Sequence, residues 1–117
     1  MRWPVLLAAA ALTACGHDIA GVGGGQILEF RNDLQQPVTF LYCPEQGCRG
    51  PLSHTVAPER SWRQANETIN ASGAVSIRIG PRLTGCRLVP AVGVLTDPLA
   101  VYRASFIQGG PPCVRGG

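Results

Sequence analysis

The chain contains no lysine, and its ten arginines are spread among seven carboxylates over 117 residues. Charged residues make up 15% of it, with a formal net charge of +3. A nucleic-acid surface needs a dense basic patch; this scattering excludes nucleic acid as a partner. Aromatic residues reach only 6%, and there are two histidines, His17 and His54. No apolar run approaches the roughly 20 residues that cross a bilayer, which excludes a transmembrane helix. No 3.6-residue apolar stripe is present either. With 15 Gly and 10 Pro, long helices are disfavoured and short strands joined by turns are expected. The 45% hydrophobic content excludes a charge-rich disordered chain.

What is present begins at the N-terminus. Met1-Arg2 is a minimal basic start, followed by an apolar run from Trp3 to Leu12, the length of a signal-peptide core. The run ends in Leu12-Thr13-Ala14-Cys15. This resembles the lipobox of bacterial lipoproteins, an aliphatic residue and two small ones before a cysteine. The resemblance implies cleavage after Ala14, lipidation of Cys15 with palmitate-type acyl chains, and a mature protein anchored on the exported side of a cell membrane. An ordinary cleaved signal peptide is the alternative. Gly16 follows Cys15, where an Asp commonly signals inner-membrane retention in Gram-negative sorting, so the outer membrane is open to it if the source is Gram-negative. Residues 15–25 read as the lipidated cysteine and a Gly-rich tether, with a reach of roughly 18 Å. His17 and Asp18 fall in this tether and read as solvated.

From Gln26 the pattern alternates with a period of two. Gln26–Arg31 places Leu28 and Phe30 on one face, and Val38–Tyr42 is apolar on both, as a central strand would be. An antiparallel hairpin of these two is expected. Val75–Ile79 turns Val75, Ile77 and Ile79 inward and Ser76 and Arg78 outward. Ser61–Asn66, Cys86–Val89, Ala91–Leu95 and Val101–Ile107 complete the set. Six to seven short strands in residues 26–117 predict a single all-β domain, a small antiparallel sandwich or barrel. The pattern Phe-Arg-Asn-Asp, Pro-Val-Thr-Phe, Thr-Gly-Cys and Tyr-Arg-Ala-Ser with its cysteines also resembles small exported β proteins of actinobacteria. That group has no assigned activity, so the resemblance implies a fold class alone.

Export governs the remaining cysteines. In an oxidising compartment Cys43, Cys48, Cys86 and Cys113 are expected to form two disulfides, with three connectivities possible. The turn-forming Pro-Glu-Gln-Gly between Cys43 and Cys48 favours a local bridge, leaving Cys86 with Cys113. Chain entropy assigns about 2 kcal/mol to the short loop and about 3.5 kcal/mol to the long one. A thiolate zinc site, with His54 as an alternative ligand, competes with this reading, but Cys-x₄-Cys is looser than the usual knuckle.

Catalytic constellations are absent from the sequence, and no cofactor or metal is expected. His54 lies in Ser53-His54-Thr55, read as a polar loop; neighbouring residues on extended chain point apart, so Ser53 and His54 make a poor nucleophile–base pair. A cryptic hydrolase would have to use His54. Asn66-Glu-Thr68 and Asn70-Ala-Ser72 match the glycosylation sequon by chance. Tyr42, Trp62 and Tyr102, with Arg49, Arg60 and Arg63, are the residue types of interfaces. Trp62-Arg63 is the candidate recognition element, against the alternative that Trp62 is packed in the core. The expected function is therefore a non-enzymatic binding or structural module of the cell envelope, with an envelope protein or polymer as partner.

Overall fold

A computed structural model describes residues 25–45, 48–92 and 97–115. The expected signal segment, the lipobox-like Leu12–Cys15 and residues 16–24 of the expected tether lie outside the described residues. Seven strands follow in order: β1 Ile27–Arg31, β2 Val38–Cys43, β3 Leu52–Val56, β4 Ser61–Ala65, β5 Gly73–Ile79, β6 Arg82–Val89 and β7 Leu99–Arg103. One turn of helix, α1, covers Ala104–Ile107. The strands form two sheets, β4-β1-β7 and β3-β2-β5-β6. The inward residues of both meet in one core of Leu28, Phe30, Val38, Phe40, Tyr42, Val56, Val75, Ile77 and Val89, closed at one end by Ala104 and Ile107 of α1. The all-β sandwich with two disulfides is thus what the sequence predicts.

The pairing differs from expectation in one instructive way. β1 and β2 do not form a hairpin, because they belong to opposite sheets. Their connection crosses the sandwich and is held by Asn32, which is fully buried. Its amide Nδ2 donates to the carbonyls of Gln36 (2.8 Å) and Val56 (2.9 Å), while its Oδ1 accepts from the Leu34 amide (2.8 Å). β1 instead lies antiparallel to β4 and parallel to β7, so the fold is not wholly antiparallel.

Four element assignments also change. Leu52–Val56, read as a loop around His54, is the edge strand β3, paired with β2. Its polarity reflects an exposed edge rather than a turn. Gly85 does not separate strands; it sits within β6, where Gly85 and Cys86 together face Ser76 in a β-bulge. Its φ of 81° suits glycine, and a Cβ there would collide with the Ile107 carbonyl. The segment read as a strand from Val101 to Ile107 ends at Arg103, and α1 begins. Asp33 from the β1–β2 connection accepts the Ser105 amide (2.8 Å) and hydroxyl (2.5 Å), satisfying a donor of that turn. Ala91 and Val92 are not in a strand, and residues 93–96 of that expected strand lie outside the described residues.

Both disulfides take the favoured pairing, Cys43–Cys48 and Cys86–Cys113. The second explains why β2 is apolar on both faces. It straps residues 108–115 across the outer face of the larger sheet, where Val114 packs with Leu41, Cys43 and Ala74. Ser76 points outward as predicted but is buried under the strap, and its Oγ accepts the amides of Cys113 and Val114, each at 3.0 Å.

Candidate binding surface

All the described aromatic residues except Phe106 gather around Phe30. Its ring lies 5.1 Å from Trp62, 5.5 Å from Phe40, and 5.8 Å from both Tyr42 and Tyr102. Trp62 faces inward from edge strand β4, where it is half-buried and packed on this cluster. The ring of His54, on edge strand β3, stacks over it at 5.4 Å and 22°. That stack closes the seam between the two sheets on one flank. Trp62 therefore occupies a packing role, and His54 is engaged with an indole on an exposed edge. Arg63 points to the opposite face of the same strand. Its guanidinium meets Glu29 (Nη2–Oε1 2.9 Å, Nε–Oε1 3.0 Å), and Ser61 Oγ donates to the other carboxylate oxygen at 3.1 Å. The predicted Trp62-Arg63 pair is thus divided between core and surface, as alternation along a strand requires.

The four described cysteines, Cys43, Cys48, Cys86 and Cys113, are all paired in disulfides, so none of them is a free thiolate for the competing zinc site. Among the described residues no three His, Cys, Asp or Glu side chains cluster at metal-binding distance, and no helix is long and apolar enough to cross a membrane. The sequon residue Asn66 is buried, and its amide is fully used. Nδ2 donates to Gln26 Oε1 (2.7 Å) and Pro90 O (3.2 Å), and Oδ1 accepts from Thr68 N (2.8 Å) and Tyr42 OH (3.1 Å). The Tyr42 hydroxyl also lies 2.8 Å from Thr68 Oγ1 and accepts the Glu67 amide at 3.0 Å. Tyr42, grouped by sequence with interface residues, is instead the centre of a buried polar knot. Burial raises its pKa above the ordinary phenol value, assisted by the Glu67 carboxylate and opposed by these hydrogen bonds. Burial also raises that of Tyr102, with the nearby Tyr42 phenol adding to it.

The opposite flank is different. Between edge strands β6 and β7 a cleft of about 370 Å³ remains, lined by Arg87, Leu88, Val101, Tyr102, Arg103 and Phe106 among others. Leu88 is 60% exposed, Val101 45% and Phe106 64%, unusual values for large apolar side chains. Arg87 and Arg103 flank them. Arg87 Nε donates to the Phe106 carbonyl at 3.1 Å, which holds the guanidinium across the cleft mouth. Larger depressions exist, such as the 570 Å³ one beside the strap, but no comparable set of exposed apolar side chains surrounds it. None of these cleft residues except Tyr102 stands out in the sequence. Val101 reads as an ordinary strand position, and Phe106 is exposed because α1 interrupts the alternation that would have turned it inward. No protein-family model, curated protein or solved structure matches this chain.

Proposed function

We propose that this chain is an exported lipoprotein, anchored through Cys15, whose β-sandwich is a non-enzymatic binding module working through the β6–β7 cleft. The observation that carries the binding reading is the exposure of Leu88, Val101 and Phe106 together around one cleft. A small domain gains nothing in stability from leaving such side chains in water, and grouped exposure marks interaction surfaces. The Leu12-Thr13-Ala14-Cys15 motif behind a short apolar run supports the anchor, and two disulfides agree with an oxidising compartment. Two or more acyl chains make such anchoring stable. The test has two arms. Cys15→Ser should abolish incorporation of a palmitate analogue and release the protein from membranes, and unchanged labelling would refute the anchor. The purified chain should capture a partner from envelope extract, and Phe106→Ser should lose that capture while His54→Ala retains it. Loss with His54→Ala alone would refute binding at the β6–β7 cleft and assign it to the β3–β4 flank.

A further inference from the structure

We propose that the β6–β7 cleft takes an extended acidic peptide, which adds as a strand to the free edge of β7 and sets a carboxylate on Arg87. This deepens the binding reading and is independent of the anchor. The backbone argument comes first. Among the described residues β7 is the last strand of its sheet and pairs with β1 alone. The register Ile27↔Leu99, with the Ile27 amide donating to the Pro98 carbonyl at 2.9 Å, directs the peptide groups of Pro98, Ala100 and Tyr102 toward β1. The N–H and C=O of Leu99, Val101 and Arg103 therefore point away from the sheet. An unpaired edge of this kind is a template for another strand. No charged residue turned into the pleat, no proline within the strand and no bulge protects it.

The side chains then select the occupant. Apolar side chains of an added strand would meet Val101 and Leu99 on the outer face and Phe106 and Leu88 across the cleft. The charges at the rim are both cationic. Among the described residues the ion pair is Arg63–Glu29, on the other side of β1, so Arg87 has no carboxylate within ion-pair distance, and Arg103 acts on Asp33 only from beyond that distance. Arg87 is further held through Nε, which leaves its two terminal Nη groups to form a fork with a carboxylate. A second copy of this chain would bring the same two arginines against themselves, which disfavours edge-to-edge dimerisation and favours an acidic partner.

The test pans the purified chain against a phage-displayed dodecapeptide library and measures Kd for the enriched peptides. Enriched sequences should alternate apolar residues and carry a carboxylate. Arg87→Gln should weaken binding at least tenfold. Val101→Pro removes an N–H that β1 does not use, so it should abolish binding with the far-ultraviolet circular dichroism unchanged. Val101→Lys, which keeps the N–H but guards the edge, is the second variant should the proline disturb folding, and it too should weaken binding. Binding insensitive to Arg87→Gln and to both Val101 changes would overturn strand addition while leaving the binding reading intact. Enrichment of uncharged peptides, concentration-dependent dimerisation lost in Val101→Lys, or no enrichment at all would each overturn the proposal.

Discussion

Alkaline pH offers an unusually clean test of the core. The chain has no lysine and the four domain cysteines are in disulfides, so the side chains that titrate near pH 10 in the domain are the phenols of Tyr42 and Tyr102. Both are raised above the ordinary value, chiefly by burial. The sign follows directly. Above about pH 10 the unfolded chain releases these protons while the folded chain keeps them, so stability is fully present below the unfolded pKa and is lost as pH rises. Each phenol held neutral costs at most about 1.4 kcal/mol per pH unit. At about pH 11.5 the loss is bounded near 2 kcal/mol for one tyrosine and near 4 kcal/mol for both. Against a typical total of about 5–10 kcal/mol, that is a large fraction. Tyr42 is fully buried but its rise is opposed by hydrogen bonds, whereas nothing opposes that of Tyr102, so both phenols should contribute. Urea unfolding midpoints between about pH 8.5 and 11.5, with tyrosinate absorbance recorded in parallel, measure it. Tyr42→Phe should cost about 1–2 kcal/mol at neutral pH, because the Glu67 amide and Thr68 hydroxyl lose a partner. It should also remove Tyr42's part of the alkaline slope. Native-state ionisation of both tyrosines at the ordinary phenol pKa, with an unchanged midpoint across the series, would refute the reasoning.

Two further outcomes follow from the backbone and from Asp33. Gly85→Ala should destabilise by roughly 2–5 kcal/mol, summing the left-handed conformation and the collision with Ile107, whereas Gly80→Ala, also at positive φ but in open space, should cost only about 1–2 kcal/mol; equal melting temperatures for the two variants would contradict this. Burial raises the Asp33 pKa, but hydrogen bonds from the Ser105 hydroxyl and amide and the charge of Arg103 outweigh it, and the net direction is down. Its stabilisation is therefore present above the unfolded value of about 3.9 and lost as pH falls through the lower folded value. Asp33→Asn should be less stable by about 0.5–2 kcal/mol at neutral pH, as for loss of a helix cap, and urea unfolding should show that gap closing below about pH 4.

Much of the fold was legible because strands announce themselves locally. Leu28 and Phe30 in β1, and Val75 and Ile77 in β5, alternate as half-buried strands do, and they are buried as that alternation requires. The cysteine spacing favoured the right pairing because a six-residue loop closes at little cost in chain entropy. Partner choice was not legible. Whether β1 meets β2 or meets β4 and β7 depends on contacts between residues 30 or more apart in sequence, which no local period encodes. β3 was missed because an edge strand has no buried face to show, leaving its Ser53-His54-Thr55 indistinguishable from a loop.

The sequence by itself determined the class of domain, most of the strand-forming segments and the segment that resembles a lipoprotein signal, and it favoured one disulfide pairing. Each of these rests on short-range chemistry: side-chain alternation, turn residues and loop length. Tertiary structure alone decided the roles of particular side chains. It put Tyr42 and Asn66 at the centre of a buried polar knot and placed Trp62 beneath His54 in a closed seam. It also set Arg87 beside Phe106, 19 residues away, at an open one. The two flanks differ because β3 and β4 come together, while α1 and the Gly85 bulge hold β6 and β7 apart. A cleft between edges of different sheets exists only once both sheets have formed and packed, so its residues carry no mark of it along the chain.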